Sequence, residues 1–183
     1  MSEIARLDQA NKPANVGNDQ SSDDEGLFGN PKYLTFNIHN RRYGISIETV
    51  KEIIEYPVIT RIPMTTKCIR GVTNLRGNVV PVIDLAVRLG QTSGEASKWS
   101  CVIVVEGGSD GEHMDIGFVV DSVDAVLDIP HHDIRDTPDF GIDIRSEFIS
   151  GMGRFNDDFV VLINLGRVLS VQELAGLAVA NRN

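Results

Sequence analysis

An internal repeat constrains this chain more than any other feature. Residues 69–89 and 149–169 align without a gap, and Ile69/Ile149, Gly71/Gly151, Val80/Val160, Ile83/Ile163, Leu85/Leu165 and Leu89/Leu169 are identical at an offset of 80. Further upstream, Tyr43-Gly44-Ile45-Ser46-Ile47-Glu48-Thr49-Val50 through Glu55 echoes Ile116-Gly117-Phe118-Val119-Val120-Asp121-Ser122-Val123 through Asp128 at an offset of 73. The glycine, the acid-hydroxyl-valine triplet and the terminal acid recur in step. The difference between the two offsets places seven extra residues of the second copy within 131–147. Two related units of roughly 60–70 residues follow, because self-similarity at a fixed spacing marks repeated supersecondary units.

The periodicity inside each unit is that of strands. Leu34, Phe36 and Ile38 alternate with Thr35, Asn37 and His39, which reads as a half-buried strand. Asn40-Arg41-Arg42 is expected to turn the chain, and Tyr43, Ile45 and Ile47 complete a hairpin. After Ile47 the apolar residues fall at Val50, Ile53 and Ile54, a register break that predicts a bulge or a single helical turn. Between Pro57 and Pro63, residues 58–62 read as a further short strand. In the second copy, residues 101–105 take the part of the opening strand. Small units with several short strands close into barrels, which removes exposed edges. Residues 90–98, small and polar, read as the join between the units.

Outside the units the composition changes. Residues 1–30 hold six acids and two bases, contributing −4 to a formal charge of −9, and contain no aromatic residue before Phe28. Such a segment has too little to bury to offset the entropy of ordering, so a disordered acidic tail is expected. Residues 176–183 are expected to fray, and 166–180 to extend the last helix. An acidic chain without a basic stripe excludes nucleic acid as a partner. No apolar run approaches the roughly 18 residues of a membrane span, and the first residues lack a secretory apolar core. The expectation is a cytoplasmic protein. Cys68 and Cys101 have neither metal nor redox spacing and read as small buried hydrophobes.

No catalytic constellation is legible. Asp84 ends an apolar strand, but its counterpart is Asn164. Asp and Asn share helix capping and not general-base chemistry, so a cap is predicted, with a helix over 85–89 stopped by Gly90. His131-His132-Asp133 lacks further ligands for a metal and reads as a loop. Gly71 and Gly77 bracket a turn without the Lys-Ser/Thr of a phosphate loop. No cofactor, metal or enzymatic activity is expected. The turn Asn74-Leu75-Arg76-Gly77-Asn78 is different, because its counterpart reads Arg154-Phe155-Asn156-Asp157-Asp158 while the flanking scaffold agrees. Arg76 there either pins its own turn through backbone carbonyls or is presented to a partner, for which its planar fork is suited. Glu52 is either a solvated acid or part of the same contact.

The residues Gly71-Val72-Thr73-Asn74-Leu75-Arg76-Gly77, followed by Val80-Pro81-Val82-Ile83-Asp84-Leu85, closely resemble the signature of the CheW family, the coupling proteins of bacterial chemotaxis. Residues 43–53 and Phe148-Ile149-Ser150-Gly151-Met152-Gly153 fit that family as well, and the likeness spans about 33–170. Thr73, where the family often has an aliphatic residue, and Asn164, where it often has Asp, are departures. The resemblance implies a mainly β fold of two five-stranded SH3-like β-barrels with short helices. These would be intertwined within a CheW-like domain over 31–175, the first copy at about 33–90 and the second at about 99–170. It implies a non-enzymatic adaptor linking the cytoplasmic tips of chemoreceptors to the regulatory domain of a CheA-type histidine kinase. Such adaptors form rings with the kinase at the inner face of the membrane and do not insert into it. Carried over by position, Val50, Glu52 and Ile53 match the receptor-facing strand, and Gly71 and Arg76 match positions of the coupling region; together with the turn residues Asn74 and Gly77 these are the expected partner-binding residues. A groove between the barrels lined by Val50 and Ile53 would accept the apolar face of a helical receptor tip, with Glu52 and Arg76 at its rim. A same-fold adaptor of a surface-motility pathway and a small-ligand sensor using that groove are the alternatives.

One consequence concerns the tail. Deleting residues 1–28 should leave the melting temperature unchanged in a thermal melt; a large drop would mean that the tail packs on the domain.

Overall fold

The computed structural model describes residues 29–63, 65–107, 113–137 and 144–169. The expected disordered tail (apart from Gly29 and Asn30), the helical extension past residue 169 and the frayed C-terminus lie outside the described residues. The first copy holds β1 (Lys32–Ile38), β2 (Arg41–Ser46), β3 (Val50–Glu55), β4 (Ile69–Leu75), β5 (Asn78–Asp84) and α1 (Leu85–Arg88). The second holds β6 (Cys101–Gly107), β7 (Met114–Val120), β8 (Ser122–Asp128), β9 (Ile134–Arg135), β10 (Ile149–Phe155), β11 (Asp158–Ile163) and α2 (Leu165–Val168). The fold is mainly β, as the residue pattern predicts.

Neither sequence copy is a sheet by itself. One sheet runs β8-β1-β2-β11-β10-β9 and the other β3-β6-β7-β5-β4, so the copies exchange strands. The connections explain why. A 3-10 turn of three residues, Ile47–Thr49, joins β2 to β3, and Asp121 alone separates β7 from β8. In each sheet the strand that follows the hairpin must lie antiparallel to a hairpin's first strand, as β8 does to β1 and β3 to β6. Within one copy, β3 would then run parallel to β2, and a parallel connection needs a dozen or more residues. Three residues carry the chain into the other sheet instead.

Each barrel has its own small core, and a larger core joins the two. Val82, Val102, Val104 and Val119 fill one barrel, and Ile129, Val160 and Leu162 the other. Phe36, Tyr43, Leu85, Leu89, Ile103, Phe118, Phe148 and Leu165 belong to the shared core, which draws on both copies. The recurrent glycines sit where parallel strands cross. Gly44 faces Leu162 of β11 and Gly117 faces Val82 of β5, and a Cβ on Gly117 would come within 2.6 Å of Val102.

The register break in β3 is both of the expected features, a 3-10 turn and then a bulge at Lys51. Val50 pairs with Val105 and Glu52 with Val104, which puts Val50 and Ile53 on one face and Glu52 on the other. The same bulge recurs in β8, where the buried hydroxyl of Thr35 donates to Ala125 O and accepts from Ala125 N. Three expectations need correction. The first hairpin turns at His39-Asn40, both left-handed, and not at 40–42, because Asn and His tolerate that conformation at low cost. Residues 58–62 make only an isolated bridge, Thr60 to Val72, and β4 is irregular just before it, its register shifting between Ile69 and Gly71. Cys101 is half-buried rather than buried, although burial still raises its thiol pKa. The caps follow the sequence: Asp84 accepts from Val87 N and Asn164 from Arg167 N.

Because both barrels share one core, they should unfold together. Urea unfolding followed by Trp99 fluorescence and by far-UV circular dichroism should give coincident transitions, with Phe36→Ala lowering stability by about 3–5 kcal/mol. Separate transitions would contradict a shared core.

Candidate functional site

The divergent turn closes the β4–β5 hairpin. Leu75 pairs with Asn78, and Arg76 (φ 51°) with Gly77 (φ 89°) forms a two-residue turn of mirror-image type. Asn74 supports it, its Oδ1 accepting from Gly77 N at 2.9 Å. Arginine is poorly suited to the first position, since a left-handed backbone costs a residue with a Cβ roughly 1–2 kcal/mol. The second copy places Asn156 there (φ 55°), a residue that tolerates the conformation. What Arg76 gains is Glu52. Its Nη1 and Nη2 donate to the two carboxylate oxygens at 3.0 and 2.7 Å, a bidentate bridge from the hairpin tip to β3. Arg76 thus grips β3 and not the backbone carbonyls of its own turn.

This bridge adds little to stability. Arg76 is 75% exposed and Glu52 19%, and an exposed pair contributes up to about 1 kcal/mol, which the strained turn offsets. The second copy lacks both partners, with Ala125 at the place of Glu52 and Asn156 at that of Arg76. The guanidinium is held in a set geometry and is still open to solvent.

The remaining expected residues separate by face. Ile53 is 43% exposed, whereas Val50 packs on the shared core. The bulge places the two on one face, so Val50 supports the surface and Ile53 forms it. Gly71 is scaffold. Its φ is 146°, and a Cβ there would lie only 2.1 Å from Thr60 O. Thr60 and Val72 exchange two backbone hydrogen bonds of 2.8 Å across this close approach.

A second polar cluster lies at the other end of β4. Arg70 donates to Asp84 Oδ2 through Nε (2.9 Å) and Nη2 (2.8 Å), to Tyr56 Oη (2.9 Å), to Ser93 Oγ (2.9 Å) and to Gly94 O (2.8 Å). Ser93 Oγ also donates to Asp84 at 2.6 Å, so the join between the copies is clamped onto the first barrel. Burial acts to lower the Arg70 pKa, but the bonds to Asp84 and Tyr56 outweigh it and hold the pKa above the ordinary value. The cluster borders an open cleft of about 560 Å³ walled by Ile59, Ile62 and Ile69, with Arg61 and Lys67 at its edge. Sequence reasoning missed the Arg70–Asp84 pair. The signal was present, since both members become neutral together in the second copy as Ser150 and Asn164.

Among the described residues no group of three or more His, Cys, Asp or Glu side chains is placed to hold a metal ion. His131–Asp133 form a 3-10 turn rather than an irregular loop. No helix of the described residues is long and apolar enough to cross a membrane.

Known proteins share this chain's pattern. The family model described as the CheW-like domain matches residues 32–173. The chemotaxis protein CheW of Klebsiella aerogenes is 37% identical over 144 residues, which cover 79% of this chain and 84% of that protein. Protein FrzA of Myxococcus xanthus is 28% identical over 80% of this chain and 90% of its own length. The crystal structure of the scaffolding protein TtCheW from Thermoanaerobacter tengcongensis superimposes with a TM-score of 0.69 at 32% identity, covering 79% of this chain and 91% of that one.

The paired neutralisation of Arg70 and Asp84 gives a test. Arg70→Ser alone, which strands a buried carboxylate, should cost about 3 kcal/mol in urea unfolding. The double variant Arg70→Ser/Asp84→Asn, which installs the second copy's residues, should cost less than Arg70→Ser alone. Additive losses would mean that the two side chains act independently.

Proposed function

The chain belongs to the CheW family, and from that premise we propose that it is a non-enzymatic adaptor coupling chemoreceptor tips to a CheA-type histidine kinase. The observation that carries this reading is the bidentate Arg76–Glu52 bridge. It contributes almost nothing to the fold, occupies a strained turn, and lies at the positions the family resemblance assigns to coupling. A group held in place without benefit to stability is suited to recognition. Ile53 supplies exposed apolar surface beside Val50, on the face of β3 opposite Glu52. A receptor tip lays an apolar helical face against Ile53 and reaches over the edge strand β3 to Glu52 and Arg76, which set its register. Asn74 and Gly77 act by shaping the turn, and Gly71 by fixing the base of the hairpin. Work of this kind takes place in the cytoplasm, beneath receptors that are themselves in the membrane, with kinase and adaptor alternating in rings.

The similarity to Protein FrzA, whose name carries no chemotaxis label, favours a second reading in which the same device serves another receptor–kinase pathway. The receptor and kinase genes that neighbour this one distinguish the two.

Arg76→Ala should leave the melting temperature within about 2 °C, as expected for loss of an exposed pair. It should weaken co-purification of kinase and receptor fragment and lower kinase activation in a reconstituted array. A variant that retains both partners and activates the kinase normally would sink the proposal.

A further inference from the structure

We propose that the open cleft beside Arg70 is a binding site for a small phosphate monoester with an apolar body. The site lies outside the Arg76–Glu52 surface, so it stands or falls independently of receptor and kinase coupling.

The segments that wall the cleft are fastened to the barrel by their backbones. Thr60 exchanges two hydrogen bonds of 2.8 Å with Val72, which holds the neighbouring Ile59 and Arg61 in place. Lys67 sits in a turn where Ile69 N donates to Thr66 O at 2.9 Å and Asp84 N donates to Cys68 O at 2.7 Å. Thr65 Oγ1 donates to Ile62 O at 3.0 Å and ties that turn to the segment before it. Tyr56 and Ile59 pack on the small valine core of the same barrel. A site built in advance loses little ordering entropy when it is filled. Its volume of about 560 Å³ lies within the roughly 300–1,000 Å³ of small-molecule sites.

The polar groups of the cleft specify the ligand. Arg61, Lys67 and Arg70 line it against one carboxylate, Asp84, a formal balance of 3 − 1 = +2 in a chain of net charge −9. Asp84 has no capacity left, since Oδ1 accepts from Val87 N while Oδ2 accepts from Arg70 and Ser93. Among the described residues neither Arg61 nor Lys67 pairs with a carboxylate. The Tyr56 hydroxyl accepts from Arg70, which leaves its own hydrogen to donate. The free side-chain groups are therefore all donors: a guanidinium, an ammonium and a phenol. Such a set fits a ligand that only accepts and carries two negative charges. A phosphate monoester has a charge of about −1.5 to −2 near pH 7 and three acceptor oxygens, one for each donor. The isoleucine walls, Ile59, Ile62 and Ile69, fit an apolar body attached to it.

The second copy shows that folding does not require this charge set. Asn164 N donates to Phe148 O just as Asp84 N donates to Cys68 O, so the two turns correspond residue for residue. Glu147 then stands at the place of Lys67, Ser150 at that of Arg70 and Asn164 at that of Asp84. Glu147 is also neutralised locally, by Arg145 at 3.4 Å. The surplus of positive charge is thus confined to the first barrel, where the same backbone carries it without need.

Isothermal titration of the full chain with phenyl phosphate, inorganic phosphate and phthalate tests the site. Phenyl phosphate should saturate one site and bind about tenfold or more tighter than either of the other two. Lys67→Glu, which installs the second copy's residue at an exposed position, should keep the wild-type melting temperature and weaken that binding about tenfold or more. Arg61→Gln, also exposed, should weaken it in the same direction. Arg76→Ala should bind phenyl phosphate as the wild type does, so that a failure of coupling and a failure of this site are told apart. Equal affinity for inorganic phosphate would mean an ion held by charge alone. Tighter binding of phthalate would mean another class of ligand, and no saturable binding would mean a cleft that serves only a protein contact. Each of these results overturns the proposal, as does wild-type affinity in both Lys67→Glu and Arg61→Gln.

Discussion

Two connections decide the architecture. Three residues between β2 and β3 and one between β7 and β8 are too few to return a strand in parallel beside its own hairpin. Each copy must therefore complete the other's sheet. From that follow a core made of both copies, the parallel contacts β2–β11 and β5–β7, and the glycines at Gly44 and Gly117 that let those strands approach. An adaptor made this way has no soft joint between its halves. A displacement imposed on one barrel is transmitted to the other, because packed cores do not deform continuously.

Ion pairs across the exchange show how far the copies have diverged on a common scaffold. Arg42 of β2 reaches Asp124, the bulge residue of β8, at 3.0 Å. At the equivalent places Asp115 of β7 meets Lys51, the bulge residue of β3, at 2.8 Å, with the charges reversed. Both are exposed or half-exposed pairs of small energetic weight. The reversal shows that the scaffold requires complementarity at this contact and is indifferent to its sign. Divergence at Arg76–Glu52 is of another kind, since there the contact itself is absent from the second copy.

The fold was largely legible in the sequence because its determinants are local or repeated. Strand alternation in β1, the bulge in β3 and the Asp84 and Asn164 caps are each set by neighbours within a few residues, and the repeat supplied a second copy of most of them. The allocation of strands to sheets was not legible from periodicity, since it depends on connection length and on which edges are free. The candidate turn was singled out by the sequence, but its geometry was not legible there. Comparing the copies singled out the turn at residues 74–78, but the partner of Arg76 lies 24 residues away on another strand. The unfavourable backbone at Arg76 was the missed clue. An arginine where the other copy places asparagine implies a side-chain contact that offsets the strain.

Gly71 shows why position and role must be separated. The resemblance places it in the coupling region, and its geometry gives it no surface to offer, only the absence of a side chain. What it contributes is the close passage of Thr60 against β4, which fixes the segment around Thr60 on one side while β4 continues to the Arg76 turn on the other. A substitution at Gly71 would disturb both ends of the strand without touching any partner. What Gly71 contributes is exerted through the backbone, by holding Thr60 against β4, rather than through a contact made by a side chain at residue 71.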